Sequence, residues 1–152
     1  MNLVFYIGFM GSGKTTLAAR NAREQGARFV DLDQVIRDNT GSFPRDILYR
    51  QGEKAFRIIE KDTLHDVVRT WKDTGEPATI VACGGGTPCF FDNLEFMKTH
   101  GHVVFIDTPL EKILKRIADE PQRWPLLQHT DAGKLYNSRL KWYEKADQRI
   151  VP

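Results

Sequence analysis

Gly8-Phe9-Met10-Gly11-Ser12-Gly13-Lys14-Thr15 follows directly on the apolar run Leu3-Val4-Phe5-Tyr6-Ile7. It fits G-x-x-x-x-G-K-[ST], in the context that gives this pattern meaning: a β-rich run leads in and a good helix former, Thr16 to Glu24, leads out. Glycines let the backbone turn tightly and point several N–H groups inward, a concave nest for a polyphosphate. The following helix adds the partial positive charge of its N-terminus at the same place. Gly11, Ser12, Gly13, Lys14, Thr15 and Thr16 are therefore expected to hold a nucleotide. Lys14 would reach its β- and γ-phosphates, and the Thr15 hydroxyl would ligate Mg²⁺. The bland alternative, a glycine-rich turn with an exposed lysine, sits poorly with the strand before and the helix after.

The 152 residues fit one domain, 1–152, with a sizeable core, and a hydrophobic content of 41% gives no sign of disorder. Lys and Arg number 22 against 20 acids, a net charge of +2. So small an excess implies no nucleic-acid surface, and attention passes to where individual arginines sit. The apolar run near the start is too short for a signal peptide or a membrane span. Cys83 and Cys89 have no companions at metal-binding spacing and read as buried, reduced thiols of a cytoplasmic protein. No repeat or low-complexity segment is present.

Strand-like runs recur at Leu3–Ile7, Arg28–Asp31, Ala78–Cys83, Val103–Ile106 and, more weakly, Arg149–Val151, with helical stretches between them. This alternation predicts an α/β fold with a parallel sheet covered on both faces. In such sheets ligands bind at the carboxyl ends of the strands, so whatever follows each strand should face the glycine-rich loop.

After the second strand, Asp31 and Asp33 lie two apart and would point to the same side if the segment is extended. A carboxylate there can hold Mg²⁺ waters or accept a proton from an attacking hydroxyl. Asp33 could instead merely cap the short helix Gln34–Asp38. After the break at 41–44 and a short helix through Tyr49, a longer helix runs from Lys54 to about Val68. Its expected core stripe is Phe56, Ile59, Thr63 and Val67. Arg57 lies on the flank with Glu60 three residues on, either as a surface salt bridge or as an arginine fork steadied for an anionic substrate; spacing leaves both open.

The third strand runs into Gly84-Gly85-Gly86. Three glycines in a row are costly to order, and close approach of a ligand to the backbone explains them better than a tight turn. Asp92-x-x-Glu95 resembles a capping box for Asn93–Thr99, and His100 and His102 read as solvent-exposed. Leu110 to Asp119 is an amphipathic helix. The loop Pro121-Gln122-Arg123-Trp124-Pro125-Leu126-Leu127 suits a lid over bound nucleotide. Leu135 to Lys145 is helical, with Leu135, Arg139 and Tyr143 four apart; Arg139 could face a cleft or water.

Taken together, these features resemble shikimate kinase over most of the chain. The resemblance rests on Gly8-x-x-Gly11-x-Gly13-Lys14-Thr15-Thr16, Phe29-Val30-Asp31-Leu32-Asp33, Phe56-Arg57-x-x-Glu60, Gly84-Gly85-Gly86, Arg123…Pro125-Leu126-Leu127 and Arg139-x-x-x-Tyr143. It implies ATP-dependent phosphorylation of a shikimate hydroxyl to give shikimate 3-phosphate. The implied fold is a three-layer α/β/α P-loop kinase with a five-stranded parallel sheet in order 2-3-1-4-5. Asp33 would accept the hydroxyl proton, and Asp31 would hold Mg²⁺ through water beside Thr15. Arg57, Glu60, the Gly84–Gly86 region and Arg139 would bind shikimate. Lys14 and Arg123 would neutralise the transferring phosphoryl group, with Arg116 near the adenine. A substrate-binding region at about 33–62, a lid at about 116–130 and a monomer acting on small molecules, with no nucleic acid or membrane, complete the expectation.

Two features depart from that family. Trp124 separates Arg123 from Pro125, and the chain stops at Pro152, where family members continue into a further helix that lies near the adenine. The rival readings are another small-metabolite or nucleoside monophosphate kinase, such as gluconate kinase, or an ATP-binding module without transfer. The F-R-x-x-E and G-G-G pair argues against the first, and Lys14, Asp33 and Arg139 against the second.

Overall fold

Five parallel strands lie in the order β2-β3-β1-β4-β5. The structure is a computed structural model that describes residues 2–120 and 131–152. In chain order its elements are β1 (Leu3–Ile7), α1 (Lys14–Gln25), β2 (Arg28–Asp31), α2 (Leu32–Thr40), α3 (Pro44–Gln51) and α4 (Glu53–Asp73). Then come β3 (Thr79–Ala82), a single 3₁₀ turn (Thr87–Cys89), α5 (Asn93–His100), β4 (His102–Ile106), α6 (Leu110–Asp119), α7 (Ala132–Tyr143) and β5 (Gln148–Ile150). Each expected strand is present with its ends moved by no more than a residue.

The alternation of side chains along the central strands explains why both sheet faces are covered. Leu3, Phe5 and Ile7 of β1 join Val81, Val103 and Phe105 in the larger core, against α4, α5 and α7. Tyr6, Ile80, Val104 and Ile106 point the other way, onto Ala18 and Ala22 of α1. A third, small cluster of Ile36, Ile47 and Phe56 ties α2, α3 and the start of α4 to one another. Among the described residues no helix is long and apolar enough to cross a membrane.

Several local expectations are corrected. The buried stripe of α4 is Phe56, Arg57, Glu60, Thr63, Leu64 and Val68, whereas Ile59 and Val67 are only partly buried. The helix is thus rotated relative to its apolar pattern, because a buried ion pair claims part of its inner face. Asp31, not Asp33, caps α2: its Oδ1 accepts from the Asp33 amide at 3.1 Å. Asp33 lies inside that helix, so the two carboxylates do not share an extended strand. Asp92 occupies the cap position of α5 without a side-chain hydrogen bond, so the capping box does not form. His100 and His102 are half-buried rather than solvent-exposed, bonded to the Phe96 carbonyl and the Gln148 side chain.

Candidate active site

A cavity of 980 Å³ opens at the carboxyl ends of the strands. It is lined by the 11–16 stretch, Asp33, Arg57, Glu60, the 84–86 glycines, Arg116 and Arg139. Of the site residues expected from sequence, Asp31 lies outside the lining, and Arg123 lies outside the described residues, as do Trp124 and the rest of the 121–130 part of the expected lid. The expected lid residues 116–119 are the final turn of α6.

The phosphate loop is held from two sides. Thr108, just past β4, donates its hydroxyl to the Ser12 carbonyl at 2.6 Å, and Arg116 Nη1 donates to the Gly11 carbonyl at 2.9 Å. Gly13 sits at φ 84°, a left-handed conformation that points the amides of the turn inward and starts α1. Lys14 is buried, and among the described residues its Nζ makes only a long contact of 3.4 Å, with the Phe9 carbonyl. Burial lowers its pKa, with the nearby Asp33 carboxylate opposing that shift. A desolvated ammonium at the mouth of a nest of amides is suited to a polyphosphate.

Opposite the loop stands an arginine-rich wall. Arg57 and Glu60 are both nearly inaccessible and pair at 3.0 Å. The pair is therefore buried and not a surface salt bridge. The second oxygen of Glu60 accepts from the Thr87 hydroxyl at 2.8 Å, so α4 is tied to the loop after β3. Arg139, on α7, also turns inward, and its Nη1 is fully buried without a hydrogen-bond partner among the described residues. The glycines let these groups crowd together: a Cβ on Gly85 would lie 3.3 Å from Arg139 Nη1, and one on Gly84 would lie 3.0 Å from Glu60 Oε2. The Tyr143 hydroxyl, fully buried, donates to the Gly85 carbonyl at 2.5 Å and fixes the loop from below.

Between the two walls stands Asp33. Its pKa is raised to about 6, first by burial and then by the neighbouring Asp31 and Glu60 carboxylates; Lys14 and Arg57 restrain the shift. A carboxylate with its pKa just below neutrality can take a proton from a hydroxyl. The oxygen donors Thr15, Asp31 and Asp33 suit a hard cation, and no group of three or more His, Cys, Asp or Glu among the described residues is placed to hold a metal ion by itself. That sparse set fits Mg²⁺, which keeps several waters and shares substrate phosphates rather than occupying an all-protein cage.

Thr87, Thr108 and Tyr143 were not singled out for the site by sequence. Thr87 directly follows the glycine triplet, the one local signal that could have marked it. Thr108 acts on a backbone carbonyl far away in the chain, for which no short spacing exists; Tyr143 belongs to the Arg139-x-x-x-Tyr143 spacing, which does not reveal its bond to the distant Gly85 carbonyl.

The shikimate kinase family model matches residues 10–152. A shikimate kinase of Phocaeicola vulgatus is 39% identical, over 96% of this chain and 84% of its own length. One of Persephonella marina is 36% identical, over 99% of this chain and 88% of its own. The solved shikimate kinase of Acinetobacter baumannii, in complex with shikimate, superposes with a TM-score of 0.85 at 31% identity, covering 99% of this chain and 83% of that one. A phosphate loop faced by two buried arginines on this sheet order, with matches of this extent, leads to one conclusion: the chain belongs to the shikimate kinase family.

Proposed function

We propose that this protein transfers the γ-phosphoryl group of ATP to a hydroxyl of shikimate, giving shikimate 3-phosphate and ADP. The observation that carries the reading is the convergence of Arg57, Arg139 and Asp33 on the cavity that the phosphate loop lines. Shikimate is a small carboxylate with three hydroxyls. The Nη1 of Arg139, without a partner among the described residues, and the Glu60-steadied fork of Arg57 suit its carboxylate, and backbone at Gly84–Gly86 can approach its ring closely.

Phosphoryl transfer is largely a matter of positioning and charge neutralisation. Gly11, Ser12, Gly13 and Thr16 hold the phosphates, and Lys14 neutralises charge on the group in transit. Asp33 orients the acceptor hydroxyl and takes its proton. Arg116, anchored on Gly11, borders the nucleotide. Arg123 takes part in neutralisation on the strength of the family resemblance. Bound Mg²⁺ would be held by Thr15 and, through water, Asp31, and would offset phosphate charge. The segment 33–62, with its own small core, forms the acceptor-binding region; the assignment of a lid to 116–130 rests on the family resemblance alone. The free Cys83, against Met97 Sδ at 3.8 Å, supports a reducing, cytoplasmic setting.

The test is ATP-dependent ADP release with shikimate, gluconate and a nucleoside monophosphate offered separately. Turnover with shikimate alone is the expected result. Turnover with another acceptor would overturn the roles of Arg57 and Arg139 while leaving the phosphate loop intact. ATP binding without any turnover would reduce the protein to a binding module.

A further inference from the structure

Arg57 has a neighbour that neither its motif nor its ion pair accounts for. The Phe90 ring lies with its centroid 4.2 Å from Arg57 Cζ, closer than the 5.1 Å of Phe56, the residue beside Arg57 in sequence. Phe90 is half-buried, follows the Thr87–Cys89 turn and does not line the cavity. The rest of the guanidinium is also constrained. Nη1 donates to Glu60 at 3.0 Å and Nε to Glu53 at 3.4 Å. A Cβ built on Gly86 would fall 2.6 Å from both terminal nitrogens and 2.7 Å from Cζ. In-plane approach from beyond the two nitrogens would leave Cζ distinctly farther away. The near-equal distances therefore put the Gly86 backbone against the flat face of the group.

The geometry points to Phe90 as a positioning residue: its ring holds the guanidinium plane of Arg57 so that the Nη2 edge, without a hydrogen-bond partner among the described residues, meets the acceptor carboxylate. Two physical reasons support this. Ion pairs to Glu53 and Glu60 fix two nitrogens but leave the group free to tilt about the line joining its partners. A ring against the plane removes that tilt, and the cation–π attraction is strongest in a desolvated site such as this one. Packing of the ring on the buried Arg57 also keeps the surroundings of the charge apolar, which strengthens its pull on an anion. Phe90 is carried on the same loop as Gly86, and that loop is pinned from below. Asn93, fully buried, donates to the Thr87 carbonyl at 2.9 Å, and Cys89 N donates to the Gly86 carbonyl at 2.9 Å. Glycine face and aromatic face are thus delivered together by one rigid turn.

This inference rests on the assignment of Arg57 to the acceptor carboxylate, and the experiment separates the two. Steady-state kinetics are measured for Phe90→Met, Phe90→Tyr and Arg57→Lys, with shikimate and with its carboxamide analogue. Loss of the ring in Phe90→Met should raise the KM for shikimate roughly five- to twentyfold, with kcat and the KM for ATP changed less than twofold. Phe90→Tyr, which keeps the ring, should restore the KM. The penalty should vanish with the carboxamide, which presents no charge to Arg57. An equal penalty with both acceptors, or a parallel rise in the KM for ATP, would make Phe90 a packing residue only and overturn the proposal. An unchanged KM for shikimate in Phe90→Met would do the same. If Arg57→Lys leaves the shikimate KM untouched, it is the carboxylate assignment that has failed, and the clamp falls with it.

Discussion

Asp33 is the residue at which stability and activity pull in opposite directions. Its folded pKa of about 6 lies above the 3.8 of an ordinary aspartate, so the folded state binds the proton more tightly than the unfolded chain does. Stability is therefore lost as pH rises from about 4 to 6, and above that range the ionised group is a standing cost. Asp33→Asn should raise the melting temperature by a few degrees at pH 8 and by little at pH 4, while removing most turnover and leaving ATP affinity nearly intact. Calorimetry at the two pH values, beside initial rates and ATP titration, checks this; equal loss of turnover and of ATP binding would refute the role of base. In the native enzyme the same titration should give kcat/KM an acid limb near pH 6, because only the ionised form accepts a proton. Arg139 offers a complementary case. Its buried Nη1 finds no partner within the described residues, so Arg139→Met should weaken shikimate binding on the order of a hundredfold or more, as expected for a lost charge-assisted contact worth about 3 kcal/mol, while stabilising or leaving unchanged the free protein. Isothermal titration with shikimate, beside thermal unfolding, reads both effects.

At the scale of elements, α4 and α7 are brought to the site by contacts that helical periodicity does not advertise. The inner face of α4 carries a nearly inaccessible Arg57–Glu60 pair among its apolar residues. Breaking such a pair from one side leaves a buried charge without its partner, which typically costs about 3–5 kcal/mol. Glu60→Ala also removes the acceptor of the Thr87 hydroxyl, so it should destabilise the fold by about that amount and raise the shikimate KM together. Urea unfolding and kinetics on the same preparation test whether the two effects arise together. For α7 the link is the hydroxyl of Tyr143 on the Gly85 carbonyl. Tyr143→Phe keeps the ring and deletes the hydroxyl that bonds this carbonyl and also faces Arg139, at about 1–3 kcal/mol for the carbonyl left without its donor. The KM for shikimate should rise while that for ATP stays put if the Gly84–Gly86 loop, which lines the cavity, meets the acceptor as proposed. The alternation along β1 and β4, by contrast, was plain in sequence, because a five-residue apolar run bounded by glycine has few alternatives to a buried parallel strand.

At the scale of the whole molecule, one core supports both halves of the site. Phe105 of β4 stacks on Tyr143 at 5.2 Å between centroids and lies among Leu3, Phe5 and Ile7. Phe105→Ala should cost about 3–5 kcal/mol and loosen α7 with it, so the loss of activity should fall first on the acceptor side; urea unfolding and the two KM values measure this. Much of this architecture was decided by local chemistry. The phosphate loop, the five strands and the parallel α/β class follow from glycine conformational freedom, apolar runs and their spacing, all short-range properties of the chain. The order of candidate motifs was legible for the same reason. Whether Arg57 pairs on the surface or in the interior, whether Arg139 faces the cleft, and which aspartate caps α2 are questions of burial and register between distant segments. Only the packed tertiary structure decides those: the free energy of a buried charge depends on what surrounds it in space, and residues such as Thr87, Phe90, Thr108 and Tyr143 join the site only when the sheet brings the strand ends together.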